Sequence, residues 1–171
     1  DQSTELGNGV DFPAYYASWN MAADFANALS ALEGLSACYA CSESGPSVEC
    51  TVAGGFSSIY ECPGYRLPTE AEWELAARSG TTSEFWTGEG PSLGGDIDAD
   101  TSCSGPHAIH DGAGATALGD LAWYCGNRYD EAGYNGSKEV ALLLPNGYGL
   151  YGMHGNSWEW MNDWYDSSYP S

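Results

Sequence analysis

Basic residues are almost missing from this chain. Arg66, Arg78, Arg128 and Lys138 stand against 24 carboxylates, for a formal charge of -20 over 171 residues. Such a surface repels phosphate backbones, which excludes nucleic acid as a partner class. It suits an acidic, solubilising exterior or one that gathers cations. Long hydrophobic runs are also missing: no stretch of about 18 apolar residues exists to make a membrane span. No basic segment followed by an apolar one opens the sequence, so no signal peptide is expected, and a mature or excised secreted domain would look the same. What is abundant is aromatic side chains and glycine, with seven Trp, twelve Tyr and 23 Gly beside eight Pro. Large aromatic anchors among irregular loops describe that mixture better than a helical bundle does.

The six cysteines are Cys38, Cys41, Cys50, Cys62, Cys103 and Cys125. Cys38-x-x-Cys41 has no second C-x-x-C to complete a zinc set, and the nearest histidine in sequence is His107. A redox reading needs a βαβ context that the pattern lacks. Disulfides account for the even count and imply an oxidising compartment, hence a secreted, extracellular or periplasmic protein. Six cysteines allow about fifteen pairings. The arrangement expected here is Cys41–Cys50 across a short hairpin, Cys38–Cys62 around it, and Cys103–Cys125 later. Four of the six lie in a Cys-rich insertion spanning 36–64.

Two helices are legible. Ser18 is a suitable N-cap and Gly34 a suitable stop. Between them Ala22, Phe25, Ala26, Leu29 and Leu32 recur at helical spacing and are expected to face the core, with Asp24, Asn27 and Ser30 opposite. Thr69 opens the second helix with a capping-box spacing to Glu72, after Pro68 fixes the entry and before Gly80 ends it. Its acidic residues suit a helix N-terminus and need no catalytic role. Val140 to Leu144 predicts a short apolar strand, and Pro145-Asn146-Gly147 a turn. Trp158, Trp160 and Trp164 fall at even spacing, which predicts a strand presenting one aromatic wall to the core. Asp96, Asp98 and Asp100 lack the glycine and the distant glutamate of an EF-hand and read as a solvated loop. His107 and His110 read as surface histidines, and Asn135-Gly136-Ser137 fits the N-glycosylation pattern.

Two long strings carry more than any of these. Tyr65-Arg66-Leu67-Pro68-Thr69-Glu70-Ala71-Glu72-Trp73-Glu74 is followed some eighty residues later by Asn146-Gly147-Tyr148-Gly149-Leu150-Tyr151-Gly152-Met153-His154-Gly155-Asn156-Ser157-Trp158-Glu159-Trp160. The pair resembles the signature blocks of the formylglycine-generating enzyme (sulfatase-modifying factor) family. The resemblance implies a single α+β, C-type-lectin-like domain over 1–171, loop-rich, with two main helices and short antiparallel strands. It also implies a calcium ion at Gly155, Asn156, Ser157 and Glu159, held by carbonyl oxygens and a carboxylate, the hard ligands that suit calcium.

The family's catalytic chemistry uses a copper-binding cysteine pair in a later block, near an Arg-Gly-Gly-Ser-Trp sequence. This chain reaches Ser171 without that block, so it is expected to be C-terminally incomplete relative to the family. No catalytic residue is assigned, and copper enters only if a further segment supplies the pair. The expectation is a secreted or surface, non-catalytic domain acting in binding or extracellular assembly, with a protein, a glycan or its own copies as partner. The alternative is a fragment of a copper- and dioxygen-dependent formylglycine-generating oxidase acting on sulfatase cysteines.

Overall fold

In the computed structural model the described residues are 9–83, 85–87, 108–110, 115–127 and 136–166, with backbone alone at 108–110 and 115–117. They fall into two compact units. The larger comprises Asp1–Tyr15 and Glu72–Trp158, the smaller Tyr16–Ala71 and Glu159–Ser171. The elements in chain order are α1 (Trp19–Leu32), β1 (Tyr39–Ser42), β2 (Glu49–Val52), α2 (Glu70–Arg78), β3 (Ala108–His110) and β4 (Ala115–Ala117), with short 3-10 turns between some of them. This is the α+β, loop-rich architecture of two helices and short antiparallel strands.

In the smaller unit α1 lies on the β1–β2 hairpin. Its start is set by Ser18, whose side chain accepts from Met21 N at 3.2 Å, and the chain leaves it through Gly34 at φ +69°. The face turned inward overlaps the predicted one only in part, with Ala26 buried as expected. Ala23, Ala26 and Ser30 are buried, whereas Phe25 is 64% and Leu32 82% exposed. The physical reason is Asn27. Its Nδ2 donates to the Tyr39 carbonyl at 2.9 Å, and its Oδ1 accepts from Cys38 N and Tyr39 N, both at 3.1 Å. Small residues beside it let the helix approach closely enough for those bonds, and three backbone groups entering β1 are satisfied that no ladder would reach.

The hairpin pairs Cys41 opposite Cys50, and a disulfide joins them; a second joins Cys38 to Cys62. Cys125 is disulfide-bonded as well, while Cys103 lies outside the described residues. Cys38, Tyr39 and Cys62 complete the core with Ala23 and Ala26, and Trp19 packs edge-on against Tyr39 at 5.4 Å. Gly64 is obligatory: a Cβ there would overlap the Ser36 carbonyl oxygen.

The larger unit has its own core of Phe85, Leu118, Leu121 and Ala122, flanked by Trp86 and Tyr124. β3 and β4 form an antiparallel hairpin with Ile109 opposite Thr116. In the last turn of α2, Arg78 Nε donates to Glu74 at 2.8 Å, and its guanidinium also reaches the Ser83 carbonyl.

Two expected strands are absent. Val140 to Leu144 forms no ladder, because Ala141 sits in the left-handed region at φ +60° and turns the chain. Residues 158–164 are likewise not a strand: Trp158 and Trp164 are fully exposed, and Trp160 is exposed while its Nε1 donates to the Ala17 carbonyl at 2.8 Å. Asp96, Asp98, Asp100, His107 and Asn135 lie outside the described residues, and of His110 only the backbone is described.

Candidate functional site

In the smaller unit, the first long string meets the residues that directly follow the second. Asn162 N donates to the Pro68 carbonyl at 2.7 Å, and Glu70 N, at the first turn of α2, donates to the Asp163 carboxylate at 2.9 Å. A carboxylate from almost a hundred residues away thus caps this helix, where anions are favoured. Asp163 was invisible as a cap to sequence reasoning, because its partner is distant in the chain. Tyr39 links the same two segments: its hydroxyl accepts from Leu67 N at 3.0 Å and donates to Asn162 Oδ1 at 2.9 Å. Burial raises the pKa of that phenol. Trp19 Nε1 closes the junction on the Met161 carbonyl at 2.8 Å. Arg66 stacks over the Tyr60 ring at 5.4 Å, and Thr69 is buried.

In the larger unit the glycine-rich turns are organised by asparagine side chains. Asn146 is buried, donating from Nδ2 to the Ala76 carbonyl in α2 at 2.7 Å and accepting from Tyr148 N and Leu150 N at 3.0 Å each. Asn127 acts similarly, accepting from Tyr124 N and donating to the Ala122 carbonyl. The sequence marked Asn146 as a turn residue; asparagine next to glycine was the available signal that both side chains bond to backbone.

Of the four residues expected to hold calcium, Gly155, Asn156 and Ser157 belong to the larger unit and Glu159 to the smaller. Gly155 sits at φ +87° in a parallel bridge with Trp123, so close that a Cβ would overlap the Trp123 carbonyl oxygen. Asn156, at φ +77°, clamps Lys138: its Oδ1 accepts from Lys138 N at 2.7 Å and its Nδ2 donates to the Lys138 carbonyl at 3.1 Å. Its side chain is therefore engaged by backbone. Gly155 and Glu159 are exposed, and Ser157 is half-buried. Among the described residues no three His, Cys, Asp or Glu side chains converge as a metal cluster; a carbonyl-built calcium site is a different construction.

His154 precedes this turn. Its carbonyl accepts from Trp123 N at 2.9 Å, and its ring packs edge-on against Phe85 at 5.2 Å. Among the described residues, Nε2 is buried without a hydrogen-bond partner, as are Ser79 Oγ and Thr87 Oγ1. Burial, then the nearby Arg78 charge, lowers the His154 pKa below 6.5. A depressed histidine pKa means the unfolded chain binds the proton first, so the stability from neutral His154 is complete above pH 6.5. It declines as pH falls from there toward the lower folded value. Thermal melts between pH 7.5 and 5.5 are expected to show a fall in Tm that His154→Phe flattens; an identical slope in the variant would assign it to other groups.

The family model described as the sulfatase-modifying factor enzyme 1-like domain matches residues 2–170. A formylglycine-generating enzyme of Thermomonospora curvata is 36% identical over 106 residues, covering 62% of this chain and 29% of that protein. A Bos taurus protein named inactive C-alpha-formylglycine-generating enzyme 2 is 34% identical over 106 residues, covering 61% of this chain and 29% of that one. In fold the chain is similar to the Treponema denticola variable protein 1, with a TM-score of 0.58 at 24% identity over 95% of this chain and 54% of that one. The chain thus spans under a third of the length of these curated relatives.

Proposed function

This chain belongs to the sulfatase-modifying factor enzyme 1-like family, and from that premise we propose a non-catalytic role for it, in binding or extracellular assembly. One observation carries the reading. Among the described residues every cysteine is oxidised: Cys38 to Cys62, Cys41 to Cys50, and Cys125 in a disulfide too. Copper oxidation of a substrate cysteine needs thiolates to hold a soft metal, and a disulfide sulfur is not a thiolate. The same bridges favour a secreted, extracellular or periplasmic setting. Among the described residues no helix is long and apolar enough to cross a membrane.

A second reading, a span of a formylglycine-generating oxidase, draws on the 36% identity to the Thermomonospora enzyme. A relative named inactive is 34% identical over a span of the same length, so identity does not separate the two. Calcium at Gly155, Asn156, Ser157 and Glu159 belongs to the proposal as a structural ion.

The deciding experiment combines a thiol count in denaturant with incubation of the chain, copper(I) and air with a cysteine-containing sulfatase peptide. No titratable thiol and no formylglycine by mass spectrometry are expected. Calcium chloride added to the same sample is expected to raise Tm, because an ion bound only by the folded state stabilises it by mass action. Formylglycine formation would overturn the non-catalytic reading, and a Tm unmoved by calcium would remove the ion.

A further inference from the structure

Residues 139–144 form an exposed ledge in the larger unit. Val140 N donates to the Asp11 carbonyl at 2.7 Å and Leu144 N to the Asp120 carbonyl at 2.9 Å, so the segment is pinned at both ends. Between the pins the left-handed Ala141 turns the chain. Val140 is 54%, Leu142 59% and Leu144 51% exposed. A solitary exposed leucine needs no explanation. Three half-open aliphatic side chains in one pinned turn of five residues are a concentration that marks a contact surface.

The pins also decide the charge around it. They bring Asp11 and Asp120 to the two ends of the ledge, and Glu139 adjoins Val140. All three residues are exposed, and their carboxylates make no ion pair among the described residues. Lys138, next to Glu139 in the chain, is half-buried, its backbone held by Asn156.

We propose that this ledge docks a basic polypeptide segment, whose apolar side chains cover Val140, Leu142 and Leu144 while its lysines or arginines meet Asp11, Asp120 and Glu139. Charge complementarity selects this occupant. A second copy of the chain would bring another formal charge of -20 to a rim that is already negative. The inference rests on the binding role proposed above and names the partner class for it.

The test is fluorescence anisotropy with three labelled octapeptides: alternating leucine and lysine, alternating serine and lysine, and alternating leucine and glutamate. The leucine–lysine peptide is expected to bind at least tenfold more tightly than the serine–lysine one, and the glutamate peptide not at all. Leu142→Ser, a change on an exposed turn, is expected to weaken leucine–lysine binding at least tenfold. Asp11→Asn with Asp120→Asn is expected to weaken it several-fold and flatten its dependence on salt. Equal affinity for the two lysine peptides, or unchanged affinity in Leu142→Ser, would overturn the proposal. So would concentration-dependent dimerisation that Leu142→Ser abolishes, since that gives the ledge to a second copy. Each of these failures leaves the thiol count and formylglycine result as they were, and formylglycine formation leaves the peptide affinities as they were.

Discussion

Asn146→Ala is expected to cost about 3 kcal/mol of stability, since one side chain satisfies three backbone groups and a lost bond to a partly buried group costs roughly 1 kcal/mol or more. The groups stranded are the Ala76 carbonyl in α2 and the amides of Tyr148 and Leu150. The turn's own bonds, Asn146 N to the Leu150 carbonyl at 2.8 Å and Gly149 N to the Asn146 carbonyl at 2.8 Å, depend on the conformation those amides hold. For a chain of this size the loss corresponds to a fall in Tm of about 6–12 °C. Near-UV circular dichroism during heating measures it. Asn146→Asp separates the two halves of the role, because it keeps the acceptor for Tyr148 and Leu150 and loses the donor to Ala76. It should fall between wild type and alanine. A shift below about 3 °C for the alanine variant would mean that water replaces the amide, and that Asn146 fills space without ordering the turn.

Replacing Cys38 and Cys62 together with serine is expected to cost about 3–4 kcal/mol, on the chain-entropy account of closing a loop of this size. The bridge spans a sequence separation of 24, against 9 for Cys41–Cys50. Cys38 is fully buried against Ala23, Ala26 and Tyr39, so serine would also place hydroxyls in an apolar cluster. The Cys41–Cys50 bridge joins residues that the hairpin register already sets opposite one another, and its removal should cost less, about 2–3 kcal/mol. Urea midpoints of the two double-serine variants give the ranking. Equal midpoints would show that the unfolded chain keeps the outer loop closed without its bridge.

Boundaries and punctuation were legible in the sequence, and the directions of faces were not. Ser18 and Gly34 bracket α1 because capping and left-handed exit are local chemistry. The helix face was misread because hydrophobic periodicity reports which side chains avoid water, not which are small enough for close approach. Ala23, Ala26 and Ser30 flank the hairpin, and Asn27 is the residue that binds it. The strand expected at Val140 to Leu144 failed for want of a partner ladder, and the even spacing of the tryptophans carried no strand once Gly155 and Asn156 turned left-handed before them. The long strings pointed to the family at once, because no capping box or turn needs so many specified residues. The meeting of the first string with Asn162 and Asp163, just past the second, is a tertiary fact, and no local pattern encodes it.

The reliance on asparagine has a consequence over time. Asn146 is followed by Gly147, the neighbour that least hinders attack of the next backbone nitrogen on the asparagine amide. Loss of ammonia closes a succinimide, and water opens that ring to aspartate or isoaspartate, which cannot donate to Ala76. In the native turn the Asn146 amide is bonded on both its oxygen and its nitrogen, away from that geometry. Each excursion to the unfolded state releases it. The turn therefore works as a chemical clock: with each round of heating more molecules carry a reacted residue 146, and those refold to a less stable turn than the molecules whose Asn146 is intact.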